Sequence, residues 1–244
     1  MTTLRIATWN IHKGVNGPAL RQRLEIHNIA VAIEQMDADV VALQEVRKVN
    51  RLQARRFAHW PAAPQADFLA PTGYQAVYET NAITRHGEHG NALLSRWPVV
   101  NTQHHDISDH RFEQRGFLHA EISVDGQSVH TVVVHLGLIG ASRVRQVHAL
   151  ERYLHKSVPA SAPLVVAGDF NDWGERLHHL LRVQDLHTFE DQRLPTYPAR
   201  LPVLHMDRIY VRGLRRLSAR VPHGAAWRTM SDHLPLIGEF EIEA

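Results

Sequence analysis

Apolar, strand-like runs in this sequence repeatedly stop at a side chain able to hold a metal ion or a phosphate. The stops are Asn10, Glu45, His135, Asp169 with Asn171, Asp207, and Asp232 with His233. Any one of them would suit an ordinary turn, where Asn and Asp bond to nearby backbone. Taken as a set they describe a site. Glu45, Asp169, Asn171 and Asp232 offer hard oxygen atoms, which suit Mg²⁺ or Mn²⁺ and not a thiolate-seeking metal. His135 and His233 can donate hydrogen bonds to phosphate oxygens, and Asp207 could hold a histidine in one orientation as a buried carboxylate does in a triad. Together these groups supply what water attack on phosphorus needs: charge neutralisation, a positioned nucleophile and a proton source for the leaving oxygen.

The elements that must carry them follow from periodicity. Leu4–Ile11 reads as a buried strand opening into the polar cluster Asn10–Gly14. Ile26, Ile29, Ala30, Ile33 and Met36 form an apolar stripe, predicting an amphipathic helix over Glu25–Met36. A second strand, Asp39–Val46, delivers Gln44-Glu45 near its end. Arg47–Pro71, rich in Arg and Pro, reads as a long excursion carrying one helix. Further strands are expected at Tyr74–Tyr78, Asn91–Ser95, Gly116–Val124, Ser128–Leu136, Leu164–Ala167, Met206–Val211 and Gly238–Ile242. Helices are expected over Ser142–Lys156, with Val144, Val147, Leu150 and Leu154 on one stripe, and around Glu175–Arg182. Strands alternating with helices predict one α/β domain over residues 1–244, its polar loops converging at one sheet edge.

Composition removes several chemistries. The absence of cysteine excludes disulfides, Cys-ligated zinc, iron–sulfur clusters and a thiol nucleophile. No His-Glu-x-x-His pattern supports a zinc hydrolase. A net charge of +2 does not by itself announce a nucleic-acid binder, although Arg outnumbers Lys by 24 to 3 and suits bidentate phosphate contacts. The longest apolar run, Thr131–Ala141, is interrupted by His135 and falls short of a membrane span. The first residues enter a strand pattern with no basic-then-apolar leader, so a cytoplasmic protein, peripheral at most to a membrane surface, is expected.

Five segments in order resemble the endonuclease/exonuclease/phosphatase superfamily, which includes pancreatic deoxyribonuclease and neutral sphingomyelinases. They are Ala7-Thr8-Trp9-Asn10, Val41-Ala42-Leu43-Gln44-Glu45, Val134-His135-Leu136, Gly168-Asp169-Phe170-Asn171 and Ser231-Asp232-His233. Asn91–Arg96 and Met206–Tyr210 resemble its secondary signatures. The resemblance implies a four-layer α/β/β/α sandwich of two mixed β-sheets with outer helices. It implies that Glu45, with Asn10 and Asp232, holds the metal. Asp169 would orient or deprotonate the attacking water, and Asn171 would position it. His233, oriented by Asp207, would meet the phosphate, with His135 facing the phosphate or the leaving group.

The sequence departs from two branches of that family. Gln44-Glu45-Val46-Arg47 stands where abasic-site endonucleases carry Gln-Glu-Thr-Lys, and Asp207-Arg208 lacks the Pro-Ala-Trp lead of inositol 5-phosphatases. The resemblance is nearer to the deoxyribonuclease and sphingomyelinase branches, and compact bacterial members fit best. Arg115, Trp173, Asn91 and Arg47 are the residues expected to meet substrate. The Arg47–Arg56 cluster reads either as a grip on nucleic acid or anionic headgroups, or as a solvated helix face. His86 and His89 read as surface-loop histidines. The expected activity is Mg²⁺- or Mn²⁺-dependent hydrolysis of a phosphodiester, a phospholipid headgroup or a small diester, by a monomer. A nuclease acting on DNA or RNA and a non-catalytic phosphate-binding scaffold are the alternatives.

Overall fold

The computed structural model describes residues 2–18 and 21–243. In chain order the strands are β1 (Thr3–Asn10), β2 (Val15–Asn16), β3 (Arg23–Leu24), β4 (Val40–Val46), β5 (Gln75–Thr84), β6 (Gly87–Ser95) and β7 (Val99–Asp106). They continue with β8 (Gly116–Val124), β9 (Gln127–His135), β10 (Leu164–Asp169), β11 (Asp207–Arg212), β12 (Leu214–Arg220) and β13 (Leu236–Ile242). The helices are α1 (Ile26–Met36), α2 (Arg51–Arg56), α3 (Gln65–Leu69), α4 (Gly140–Ser157), α5 (His178–Val183) and α6 (Trp227–Met230).

Two mixed sheets face each other. One has the order β12-β13-β1-β4-β6-β5 and the other β11-β10-β9-β8-β7, while β2 and β3 pair separately. Leu4, Ile6, Val40 and Ala42 from the first sheet interleave with Val133, Val165, Ala167 and Ile209 from the second, forming the central core. The opposite face of the first sheet is covered by Ile26, Ile29, Ile33 and Met36 of α1 and by Ala66 and Leu69 of α3. The opposite face of the second is covered by Val147, Leu150 and Leu154 of α4 and by Leu181 of α5. The four-layer α/β/β/α arrangement is therefore present, because strands buried on both faces need helices outside as well as a second sheet inside.

The parallel pairs within each sheet set the site. β1 and β4 run parallel with Asn10 opposite Gln44. β9 and β10 run parallel with His135 opposite Asp169, and β11 brings Asp207 opposite Asp169 from the other side. Asp169, like Ala167 and Val165, points between the sheets, since alternate strand residues share a face. Gly168 is required for this row to close up. A Cβ there would sit 1.9 Å from the Val134 carbonyl oxygen.

Several sequence expectations shift. The Arg47–Pro71 excursion holds two short helices, α2 and α3. β7 was not foreseen, because its Val-Val-Asn-Thr-Gln-His-His-Asp sequence lies on a sheet edge, mostly exposed, and lacks apolar alternation. β12 is an arginine-rich edge strand whose charges discourage pairing with another chain. Val144 is exposed, and the buried stripe of α4 runs instead through Val147, Leu150, Tyr153 and Leu154. No helix among the described residues is long and apolar enough to cross a membrane.

Candidate active site

The site forms where the C-terminal ends of β1, β4, β9 and β10 meet the segment before β13. Its centre is the buried Asp169 carboxylate. Oδ1 accepts a hydrogen bond from the Asn171 backbone N–H at 2.9 Å, and Oδ2 accepts one from Asn10 Nδ2 at 3.0 Å. His135 Nε2 and His233 Nε2 flank Oδ2 at 3.6 and 3.7 Å. His233 Nδ1 is bonded to Asp207 Oδ2 at 2.8 Å, and Asp207 Oδ2 also accepts from the Thr196 hydroxyl at 2.6 Å. Asp207 Oδ1 is buried with no hydrogen-bond partner among the described residues. The Ser231 hydroxyl donates to the Asn10 carbonyl, and the Trp9 indole N–H donates to the His233 carbonyl. These two bonds tie the loop before β13 to the end of β1.

The two histidines beside Asp169 differ in charge. Burial opposes protonation of His233, but the Asp207 and Asp169 carboxylates outweigh it and push its pKa up to about 10. Burial drives His135 well below the ordinary histidine range, and the Arg115 charge adds to this against the opposing pull of Glu45. Burial raises the Asp169 carboxyl, with His233 opposing and Asp207 reinforcing. A raised carboxyl between a charged and a neutral imidazole is an arrangement for moving protons.

Glu45 and Asp232 form the other half of the site. His12 Nδ1 lies 3.9 Å from Glu45 Oε2 and 3.3 Å from Asp232 Oδ2, and Lys13 Nζ is paired with Glu45 Oε2. Burial alone would raise the Glu45 carboxyl, yet the Lys13 charge and its hydrogen bond hold it well below the carboxylate range. Asp232 is likewise lowered against burial, by its bond to His12 and the His233 charge. Strand alternation would aim Glu45 toward α1, on the side of Val41 and Leu43. A bulge in the β4–β6 pairing between Leu43 and Val46, with Glu45 at φ 57°, turns the carboxylate into the site instead. His12, Lys13 and Asn171 share this left-handed backbone, at φ 45°, 64° and 50°. Such strain gathers where side chains must converge.

Donor chemistry separates the two acidic groups as metal sites. Ligand atoms of Asp169, Asp207 and His233 lie within 4.8 Å of one another. Both ring nitrogens of His233 face carboxylates, however, so this imidazole is held as a cation without a lone pair to offer. Glu45 and Asp232 fit a hard divalent cation better: two carboxylates that converge on His12, with the Lys13 ammonium already against Glu45. Both Asn10 side-chain atoms are engaged, Nδ2 by Asp169 and Oδ1 by the His12 N–H, so Asn10 would meet a cation only through a second Oδ1 lone pair.

The substrate-facing expectations divide. Arg115 is held beside the site by bonds to the Leu136 carbonyl and Glu113. Trp173 is 62% exposed and lines a depression with Leu138, Arg143 and Arg176. The Arg47 guanidinium lies 5.8 Å from the Trp60 ring, and burial lowers its pKa to about 10 with Glu45 opposing. Asn91 is buried, and its Nδ2 is spent on the Gly116 and Val133 carbonyls of the opposite sheet, which leaves only Oδ1. Asn171 Nδ2 is similarly bound to the Leu136 carbonyl. His89, read as a surface histidine, is instead half-buried near Lys13, Glu45 and Arg47, and burial lowers it to about 4. His86 does lie exposed. His12 and Lys13 were not singled out as functional, although they directly follow Asn10. Their side chains reach the carboxylates only through the left-handed turn.

Comparison with known proteins agrees with this architecture. The chain is 34% identical to the uncharacterized protein YbhP of Escherichia coli K12, over 98% of this chain and 97% of that protein. An endonuclease/exonuclease/phosphatase structure from Beutenbergia cavernae superposes with a TM-score of 0.77 at 21% identity, covering 99% of this chain and 72% of that one. A mannosyl-6-phosphatase structure from Bacteroides thetaiotaomicron superposes with a TM-score of 0.73 at 18% identity, covering 97% and 99%. The model of the endonuclease/exonuclease/phosphatase family, whose members include phosphodiesterases, nucleases and phosphatases, matches residues 7–233, and the chain belongs to that family.

Proposed function

We propose that this chain, acting as a single domain, hydrolyses a phosphodiester with the help of a divalent metal. The observation that carries the reading is the crowding of Asn10, His135 and His233 around one oxygen of Asp169, with Glu45 and Asp232 beside them. Glu45 and Asp232 would hold Mg²⁺ or Mn²⁺, which when bound supplies charge neutralisation to the phosphate. Asp169 Oδ2 takes a proton from a water as its oxygen attacks phosphorus. The bond from phosphorus to the leaving oxygen breaks, and protonated His233 gives a proton to that oxygen. Asp207 holds His233 in the tautomer and charge state this requires. Asn171 locks the unused oxygen of Asp169 through its backbone N–H. Neutral His135 faces the phosphate as a hydrogen-bonding group. The Arg115 guanidinium and Trp173 stand where the rest of the substrate would lie.

Turnover of bis-p-nitrophenyl phosphate tests this. Hydrolysis is expected with Mg²⁺ or Mn²⁺ and lost in EDTA, and equal turnover in chelator would overturn the reading. Incubation with plasmid and with an abasic oligonucleotide separates the nuclease alternative. Rapid, strongly salt-dependent cleavage of these would displace the small-diester or phospholipid substrate.

A further inference from the structure

Two shallow depressions open beside the Asp169 cluster, and Leu138 lines both. One also holds Trp173 and Arg176, and the other Ile83, Phe112 and Ile139 with Arg111. These five large apolar side chains are between 41% and 79% exposed. They come from four separate parts of the chain: the end of β5, the segment before β8, the turn after β9 and the turn after β10. They are nevertheless fixed relative to the site. The Ile83 N–H donates to Gln114 Oε1 and the Leu138 N–H to Glu113 Oε1, each at 2.9 Å. Arg115 Nε and Asn171 Nδ2 both donate to the Leu136 carbonyl. Phe112 stacks on His110 with ring centroids 5.0 Å apart. Apolar groups gathered on one exposed rim mark an interaction surface, whereas singly scattered ones do not.

Charge identifies the occupant. Arg111 and Arg176, which line the two depressions, form no ion pair among the described residues. Of the carboxylates nearby, Glu113 is engaged by Arg115, Asp109 by Arg145 and Glu175 by Arg208, while Asp172, which lines the Trp173 depression, is buried and accepts a hydrogen bond from the Leu177 N–H. The rim is thus apolar and cationic. A single-stranded nucleic acid would call for planar side chains on which bases stack. Of the five, only Trp173 and Phe112 offer a plane, and Phe112 is already stacked on His110, whereas the aliphatic tips of Ile83, Leu138 and Ile139 beside arginines suit the boundary between headgroups and acyl chains.

We infer that this rim seats the protein on an anionic phospholipid bilayer, so that a lipid phosphodiester is presented to the Asp169 cluster. The second half rests on the phosphoesterase reading, while the docking itself does not.

Flotation of the full chain with vesicles tests it, using phosphatidylcholine alone and phosphatidylcholine mixed with phosphatidylglycerol. The parent is expected to float with the mixed vesicles and not with phosphatidylcholine alone. The exposed double variants Ile83→Ser/Phe112→Ser and Arg111→Glu/Arg176→Glu should each weaken that partition roughly tenfold or more, since each removes buried hydrocarbon or headgroup attraction. Both should hydrolyse bis-p-nitrophenyl phosphate at the parent rate, which also shows that they are folded. The docking is overturned if the parent stays with the soluble fraction, or if the Ile83→Ser/Phe112→Ser protein floats like the parent. It is equally overturned if a single-stranded oligonucleotide retains the parent and the mixed vesicles do not. Vesicle binding without any turnover of the small diester would support the docking and count against the phosphoesterase reading.

Discussion

Two buried histidine clusters lie on opposite faces of the same sheet. Between the sheets, His233 is bracketed by Asp207 and Asp169. On the outer face, under α4, His119 Nδ1 meets the Tyr153 hydroxyl at 2.6 Å, and Nε2 meets His130 Nδ1 at 3.0 Å. Tyr153 in turn donates to Gln103 and packs with a tilted ring against His105 and Phe117. Burial lowers His119 to about 4 with His130 reinforcing, whereas the carboxylates lift His233 to about 10. Similar exclusion from solvent therefore leaves one imidazole neutral and the other charged, and the partners decide which. A histidine satisfied by neutral groups is a packing element. One held charged between two carboxylates can deliver a proton.

The largest effects should come from the acidic side of this contrast. Glu45→Gln and Asp169→Asn should each lower kcat/KM for bis-p-nitrophenyl phosphate by ~10³-fold or more, because each removes a charge used in the transition state. If both variants matched the parent, the site assignment would be wrong. Asp207→Asn should cost less, roughly 10²-fold, because His233 remains but loses its orienting carboxylate. The pH at which His233 loses its proton should then fall, seen as an earlier alkaline limb in the rate profile. A variant with a lower rate but an unmoved limb would leave Asp207 with a purely structural part.

What the sequence revealed follows the same division. Asp169 and His135 were legible because each ends an apolar run; Asp207 instead opens β11, and because β11 runs antiparallel to β10, strand register still places all three in one row. Glu45 was legible as a strand-end acid, but its direction depends on a bulge and a left-handed residue that no periodicity announces. His12 and Lys13 were hidden for a related reason, since their reach comes from backbone conformation and not from spacing. The helices α1 and α4 showed their apolar stripes, while β7 and β12 did not. Edge strands are half solvated and carry polar or charged residues where a central strand would alternate. The His119–His130 pair gave no signal at all. Both lie inside apolar strands, and only pairing of β8 with β9 beneath Tyr153 explains them.

The outer cluster predicts a pH effect of moderate size. His119 in the unfolded chain binds its proton near the ordinary value of 6.5, but in the folded protein only near 4. The unfolded state therefore binds more protons in that window, so this contribution to stability is intact above about pH 6.5 and is lost as pH falls toward 4. His233 has the opposite sign: its contribution is present below about 6.5 and is lost as pH rises through about 10. Denaturant midpoints measured across pH should show both flanks. His119→Gln should be less stable at neutral pH by about 1–3 kcal/mol, through the disturbed bonds to Tyr153 and His130. It should also have a shallower acid flank. An unchanged acid flank would mean that His119 is not the group responsible.

The smallest effect is expected at the surface, where charge pairs face water. Arg215 on β12 pairs with Glu241 on β13, and the Arg215 side chain is 60% exposed. Water screens the pair, and ordering two long side chains offsets much of the attraction. Arg215→Ala should therefore shift stability by no more than about 1 kcal/mol, and by less as salt is added. The His119 cluster differs because it is buried, and water does not reach it to compensate a lost partner. If Arg215→Ala destabilised the protein more than His119→Gln at neutral pH and moderate salt, burial would not be what gives the histidine clusters their weight.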